Sequence, residues 1–110
     1  MRSDDVRKKV YSTCLFVLLG SFLASTGCEM NPKGAKVFAS NRCPECHTLK
    51  GKGGSAGPNL TTVGSRRSRE YIIQQIKNPK ANNPNTNMPS FGNLPEQDID
   101  ALADYLSRLK

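Results

Sequence analysis

The chain has 110 residues, 36% of them hydrophobic and 6% aromatic with no Trp, and carries a formal charge of +7. That leaves room for one domain and excludes a second hydrophobic core. A mature domain of about 80 residues is short of core material and would gain from a staple such as a covalently held cofactor. The basic excess at Lys36, Arg42, Lys50, Lys52, Arg66, Arg67, Arg69, Lys77 and Lys80 favours acidic partners or anionic surfaces, with a plain solvated surface as the alternative.

Arg2, Arg7, Lys8 and Lys9 precede the apolar run CLFVLLGSFLA, Cys14 to Ala24, which gives way to the small residues STG. This is the layout of a secretory signal over residues 1–27. The run is at or below the ~17 residues needed to span a bilayer, so an uncleaved anchor is the lesser alternative. The stretch LASTGC, ending at Cys28, resembles a bacterial lipoprotein signal, although Ser25 stands where Leu is preferred. The resemblance implies lipidation of Cys28 and a short tether over residues 28–31. Ordinary cleavage nearby would instead leave Cys28 as a stray thiol, unfavourable in an oxidising compartment. Either way the chain is expected to leave the cytoplasm for the periplasmic side of the cell envelope.

Three helices are expected in the remaining domain, residues 32–110, and no strand alternation is convincing. The first runs from about Pro32 to Ser40, with Asn31 as N-cap, Pro32 at the first helical position, and Val37 and Phe38 on one face. The second runs from Ser68 to about Lys77, with Ser68 as cap and Ile72, Ile73 and Ile76 as its stripe, ended by Asn78-Pro79. The third runs from about Pro95 to Leu109 on the spacing of Ile99, Leu102, Leu106 and Leu109. Its acidic start, Glu96, Asp98 and Asp100, and its basic end, Arg108 and Lys110, suit the helix dipole. Between the helices lie two long loops, Gly51 to Ser65 and Asn78 to Asn93, which need an object to wrap around.

Cys43-Pro44-Glu45-Cys46-His47 allows three chemistries. Zinc needs about four ligands, and the mature chain offers only these three and the distant Cys28. A redox dithiol belongs at a helix start after a strand, in a setting this sequence lacks. The pattern C-x-x-C-H serves c-type haem attachment: two thiols one turn apart form thioethers with the vinyl groups of one haem edge, and the adjacent His ligates the iron. There is no other His for the second axial position, and Met30 precedes the first helix. Met88, held extended by Pro89 in a polar loop, is the natural sixth ligand.

Over Asn31 to Lys110 the order of features resembles a small bacterial monohaem class I cytochrome c: a helix with Gly34 and Phe38, then CPECH, GPNL, a middle helix, MPSF, and a final helix with ALADYL. The resemblance implies an all-α class I cytochrome c fold, with three main helices and long loops around one covalently bound haem c and its iron. It implies that the N- and C-terminal helices cross, Gly34 and Phe38 meeting Leu102 and Tyr105. It further implies that the Pro58 carbonyl accepts a hydrogen bond from His47, and that Leu60, Val63, Ile73 and Phe91 line the haem, generic core being the alternative for each.

The function implied is electron transfer with His/Met ligation at a fairly high potential, since thioether sulfur favours the reduced iron. Exchange is expected at an edge near Cys43, Pro44 and the Met88 loop, with Arg42, Lys50 and Lys52 steering an acidic redox partner. Membrane contact is expected through Cys28 or an uncleaved anchor, and neither nucleic acid nor a small-molecule substrate is expected. The alternatives are a haem enzyme or gas sensor with a labile Met, and a haem subunit of a larger oxidoreductase.

Overall fold

The computed structural model describes residues 31–110. The signal over 1–27, Cys28 and Met30 lie outside the described residues. Helices are α1 Pro32–Ser40, α2 Val63–Arg66, α3 Arg69–Lys77, α4 Pro79–Asn82 and α5 Glu96–Ser107, with a 3-10 turn at Cys43–Glu45. No strand is present among the described residues, only an isolated bridge between Leu49 and Lys52.

The start of α1 follows from two residues. Asn31 Oδ1 accepts from the Lys33 amide at 3.1 Å, and Pro32 sits at the first helical positions, where a missing N–H costs nothing. At the other end the Asn41 amide and its Nδ2 both donate to the Val37 carbonyl, at 3.1 and 2.9 Å. Arg42 then adopts a left-handed backbone, φ 61°, which turns the chain into the 3-10 turn.

Helix α3 begins at Ser68, whose Oγ accepts from the Tyr71 amide at 3.2 Å. Ser68→Ala is expected to remove about 1 kcal/mol of stability, read as a melting midpoint roughly 4–8 °C lower by circular dichroism.

Two helical turns were not expected, α2 and α4. Each has four residues, too few to show a period. Pro79 both ends α3 and opens α4, because its fixed φ stops one helix and suits the first position of the next. Helix α5 is also shorter than the apolar spacing implied. Pro95 is its N-cap and Arg108 its C-cap, yet Leu109 beyond them is buried.

The core joins Val37 and Phe38 of α1, Ile72 and Ile76 of α3, Val63 of α2, and Ile99, Leu102, Ala103, Tyr105 and Leu106 of α5. Among the described residues no polar or charged residue is buried with them. Helices α1 and α5 pack with the Phe38 and Tyr105 rings 6.1 Å apart and tilted by 53°. A Cβ on Gly34 would stand under 3.0 Å from the Ala101 carbonyl oxygen and Tyr105 Cβ, so only glycine permits this approach. The atoms nearest that Cβ belong to Ala101 and Tyr105, while Leu102 lies in the same buried cluster as Phe38.

The acidic residues of α5 do more than face the helix dipole. Asp98 pairs with Lys33 of α1 at 2.8 Å, Glu96 with Lys77 of α3 at 2.6 Å, and Asp100 and Asp104 share Arg69 of α3 at 2.9 and 2.6 Å. All remain in contact with water, so each adds little energy, but together they fix how α1 and α3 lie on α5. No helix of the described residues is long and apolar enough to cross a membrane.

Candidate functional site

The pentapeptide is wound into one turn, the Cys46 and His47 amides both donating to the Cys43 carbonyl at 3.2 and 3.0 Å. The following loop grips it from outside. Gly54 N donates to Pro44 O at 2.8 Å, Gly57 N to Cys46 O at 2.7 Å, and Leu60 N to Thr48 O at 2.9 Å. The sequence showed this segment as a long irregular loop; its irregular backbone is the part that saturates the polar groups of the turn.

His47 Nδ1 lies 2.8 Å from the Pro58 carbonyl oxygen. A carbonyl can only accept, so Nδ1 carries the proton and Nε2 presents its lone pair, the tautomer that can ligate a metal. Gly57 lets the loop backbone lie against the ring, where a Cβ would come within 2.6 Å of His47 Cε1. The imidazole is thus held from two sides.

Cys43 is half-buried and Cys46 exposed, and no disulfide joins them. Burial pushes the Cys43 thiol above its ordinary range. An attacking dithiol is helped by the opposite shift, so burial of Cys43 does not favour redox-dithiol chemistry. Zinc is not favoured either, because among the described residues no three His, Cys, Asp or Glu side chains form a metal-binding group.

Met88 is half-buried in a loop pinned to the end of α3. Phe91 N donates to Ile76 O at 2.9 Å, and Ser90 Oγ donates to Lys77 O. Gln75 Nε2 lies 3.5 Å from Met88 Sδ, and Asn82 Nδ2 donates to Gln75 Oε1 at 3.0 Å. Sequence reasoning missed Gln75 and Asn82, which belong to no motif, and gave Ser90 no role although it lies within MPSF. The only hint was that Gln75 sits among the isoleucines of α3.

Of the expected pocket residues, Leu60, Ile73 and Phe91 are partly buried along the edge of the core, with Cys43, Leu49 and Leu94 beside them, whereas Val63 lies inside it. Pro58 is exposed and contributes its carbonyl. Two unoxidised thiols one turn apart, an imidazole with an open Nε2 and a half-covered apolar rim fit a large apolar macrocycle attached through sulfur.

Residues 32–110 match the cytochrome c family. The chain belongs to that family. Its cofactor is therefore covalently bound haem c with its iron, and its chemistry is haem-based electron transfer. The helical fold is that of an all-α class I cytochrome c. Among curated relatives, it is 33% identical over 86 residues to cytochrome c oxidase subunit 2 of Alkalihalophilus pseudofirmus, covering 71% of this chain and 25% of that protein. It is 34% identical over 80 residues to a nitric oxide reductase subunit of Stutzerimonas stutzeri, covering 67% of this chain and 54% of that protein. The similarity thus spans about a quarter of the first relative and half of the second.

Proposed function

We propose that this cytochrome c domain carries one haem bound through thioethers of Cys43 and Cys46, with His47 Nε2 and Met88 Sδ as axial ligands, and works as an electron carrier. The observation that carries the reading is the bond from His47 Nδ1 to Pro58 O, which fixes the ligating tautomer and raises its donor strength. When bound, the haem supplies a one-electron iron couple, placed at a fairly high potential by thioether ligation. The residues of the chain orient the ligands, cover the apolar rim and, with both axial positions taken, leave no open site for oxygen chemistry.

The test is the visible spectrum of the holoprotein. A low-spin iron with a Met-to-iron charge-transfer band when oxidised, and no prompt carbon monoxide binding when reduced, is the expected result. A high-spin iron that binds carbon monoxide at once would overturn it in favour of an enzyme or gas sensor.

Partner contact takes place beside Cys46, the exposed thioether position. Arg42 contributes little steering there, because Glu45 Oε1 lies 2.7 Å from its Nε and neutralises it. Lys50 and Lys52 are exposed and make no ion pair among the described residues, so they carry the attraction for acidic redox partners. The double charge reversal Lys50→Glu/Lys52→Glu is expected to slow electron transfer about tenfold or more at low salt and to flatten or invert its salt dependence, while Arg42→Ala changes little. Stopped-flow oxidation by an acidic partner at graded ionic strength measures this; an unchanged salt slope in the double variant removes the steering role.

The two relatives are named as subunits of an oxidase and a reductase, which supports a second reading in which the domain serves a larger respiratory complex. Export by residues 1–27 and lipidation at Cys28 would hold it at the membrane on the periplasmic side. The intact mass of the purified protein reports the cleavage point, the lipid and the haem together.

A further inference from the structure

Three amide groups form a chain that ends on the proposed iron ligand. Asn82 Nδ2 is 3.4 Å from the Tyr71 carbonyl oxygen and 3.0 Å from Gln75 Oε1, and Gln75 Nε2 is 3.5 Å from Met88 Sδ. The backbone carbonyl fixes every orientation in this chain. Because Tyr71 O can only accept, the Asn82 group facing α3 must be its NH2, not its carbonyl. Gln75 must then turn its own carbonyl toward Asn82. That leaves the Gln75 NH2, and not its oxygen, against the sulfur.

We infer that Gln75 and Asn82 form a relay that raises the reduction potential of the domain by donating an N–H to the Met88 sulfur. The inference rests on Met88 being the axial ligand. A donated N–H draws electron density from the thioether lone pairs, which weakens sulfur donation more for the electron-poor oxidised iron than for the reduced one. The positive end of the amide dipole also opposes the extra charge of the oxidised state, so both effects have one sign. Gln75, Asn82 and Met88 are all half-buried, where a hydrogen bond is screened less than at the surface. Gln75 and Asn82 are positioning residues: neither ligates the iron, and Asn82 acts only through Gln75.

The experiment is a spectroelectrochemical titration of the holoprotein, with the Met-to-iron charge-transfer band recorded in the oxidised form. Gln75→Leu is expected to lower the potential and shift the band without abolishing it. Asn82→Ala frees Gln75 to present its carbonyl to the sulfur, and is expected to lower the potential as well. In the Gln75→Leu background the same Asn82→Ala change is expected to do nothing further, a coupling that a merely structural role would not produce. An unchanged potential in Gln75→Leu with the band intact overturns the relay, as does an Asn82→Ala shift that survives in the Gln75→Leu background. Absence of the band in the unaltered protein overturns the ligand reading itself, and the relay with it, and is recognisable before any variant is made.

Discussion

Met88→Ala is expected to abolish the charge-transfer band of the oxidised protein, let carbon monoxide bind promptly to the reduced protein, and lower the potential by a sizeable part of the roughly 0.8 V that axial ligands command. No other methionine or histidine is available among the described residues to take over the role. Met88 is the one methionine and His47 the one histidine among residues 31–110. The loop itself keeps its place in the variant, because the bonds from Phe91 N to Ile76 O and from Ser90 Oγ to Lys77 O do not involve the side chain that is removed. The change at the iron is therefore separable from a loss of fold, and circular dichroism in the helical region should stay near that of the parent. If the band, the potential and the resistance to carbon monoxide all survive, Met88 is not the ligand.

Gly34→Val is expected to damage the scaffold severely at the contact between α1 and α5. The new Cβ would run into the Ala101 carbonyl oxygen and Tyr105 Cβ, and the first of these is backbone, which cannot rotate away. Relief requires α1 to lift from α5, which also parts Phe38 from Tyr105, both buried at that contact. Overpacking of this kind costs about 1–3 kcal/mol, and a collision with backbone belongs at the upper end. For a domain of this size about 3 kcal/mol lowers the melting midpoint by roughly 12–24 °C. A thermal melt of the holoprotein checks it; a midpoint within a few degrees of the parent would mean the helices tolerate a wider separation than Gly34 implies.

Much of the scaffold could be read locally. Asn31 with Pro32, and Ser68 ahead of the isoleucine stripe, marked helix starts that the structure keeps to within a residue. The chain's cofactor was legible because the residues that hold a haem c must be close together in sequence as well as in space. What stayed hidden depends on residues far apart. The pairing of Arg69 with Asp100 and Asp104 needs α3 and α5 to be packed already. The chain from Tyr71 through Asn82 and Gln75 to Met88 depends on α4, a four-residue turn with no periodic signal. Arg42 misleads in the other direction. In the sequence it reads as a steering charge, yet Glu45, three residues on, lies against it.

The contact of Gly34 with Ala101 also makes closure of the fold a long-range event. It joins positions separated by most of the described chain, and closing so long a loop costs on the order of 4 kcal/mol before any native contact offsets it. Until α5 has been made, α1 lacks the surface that buries Val37 and Phe38. The backbone hydrogen bonds that wind and grip the turn from Cys43 to His47 all lie within residues 42–57, so that turn can form before α1 and α5 close on each other.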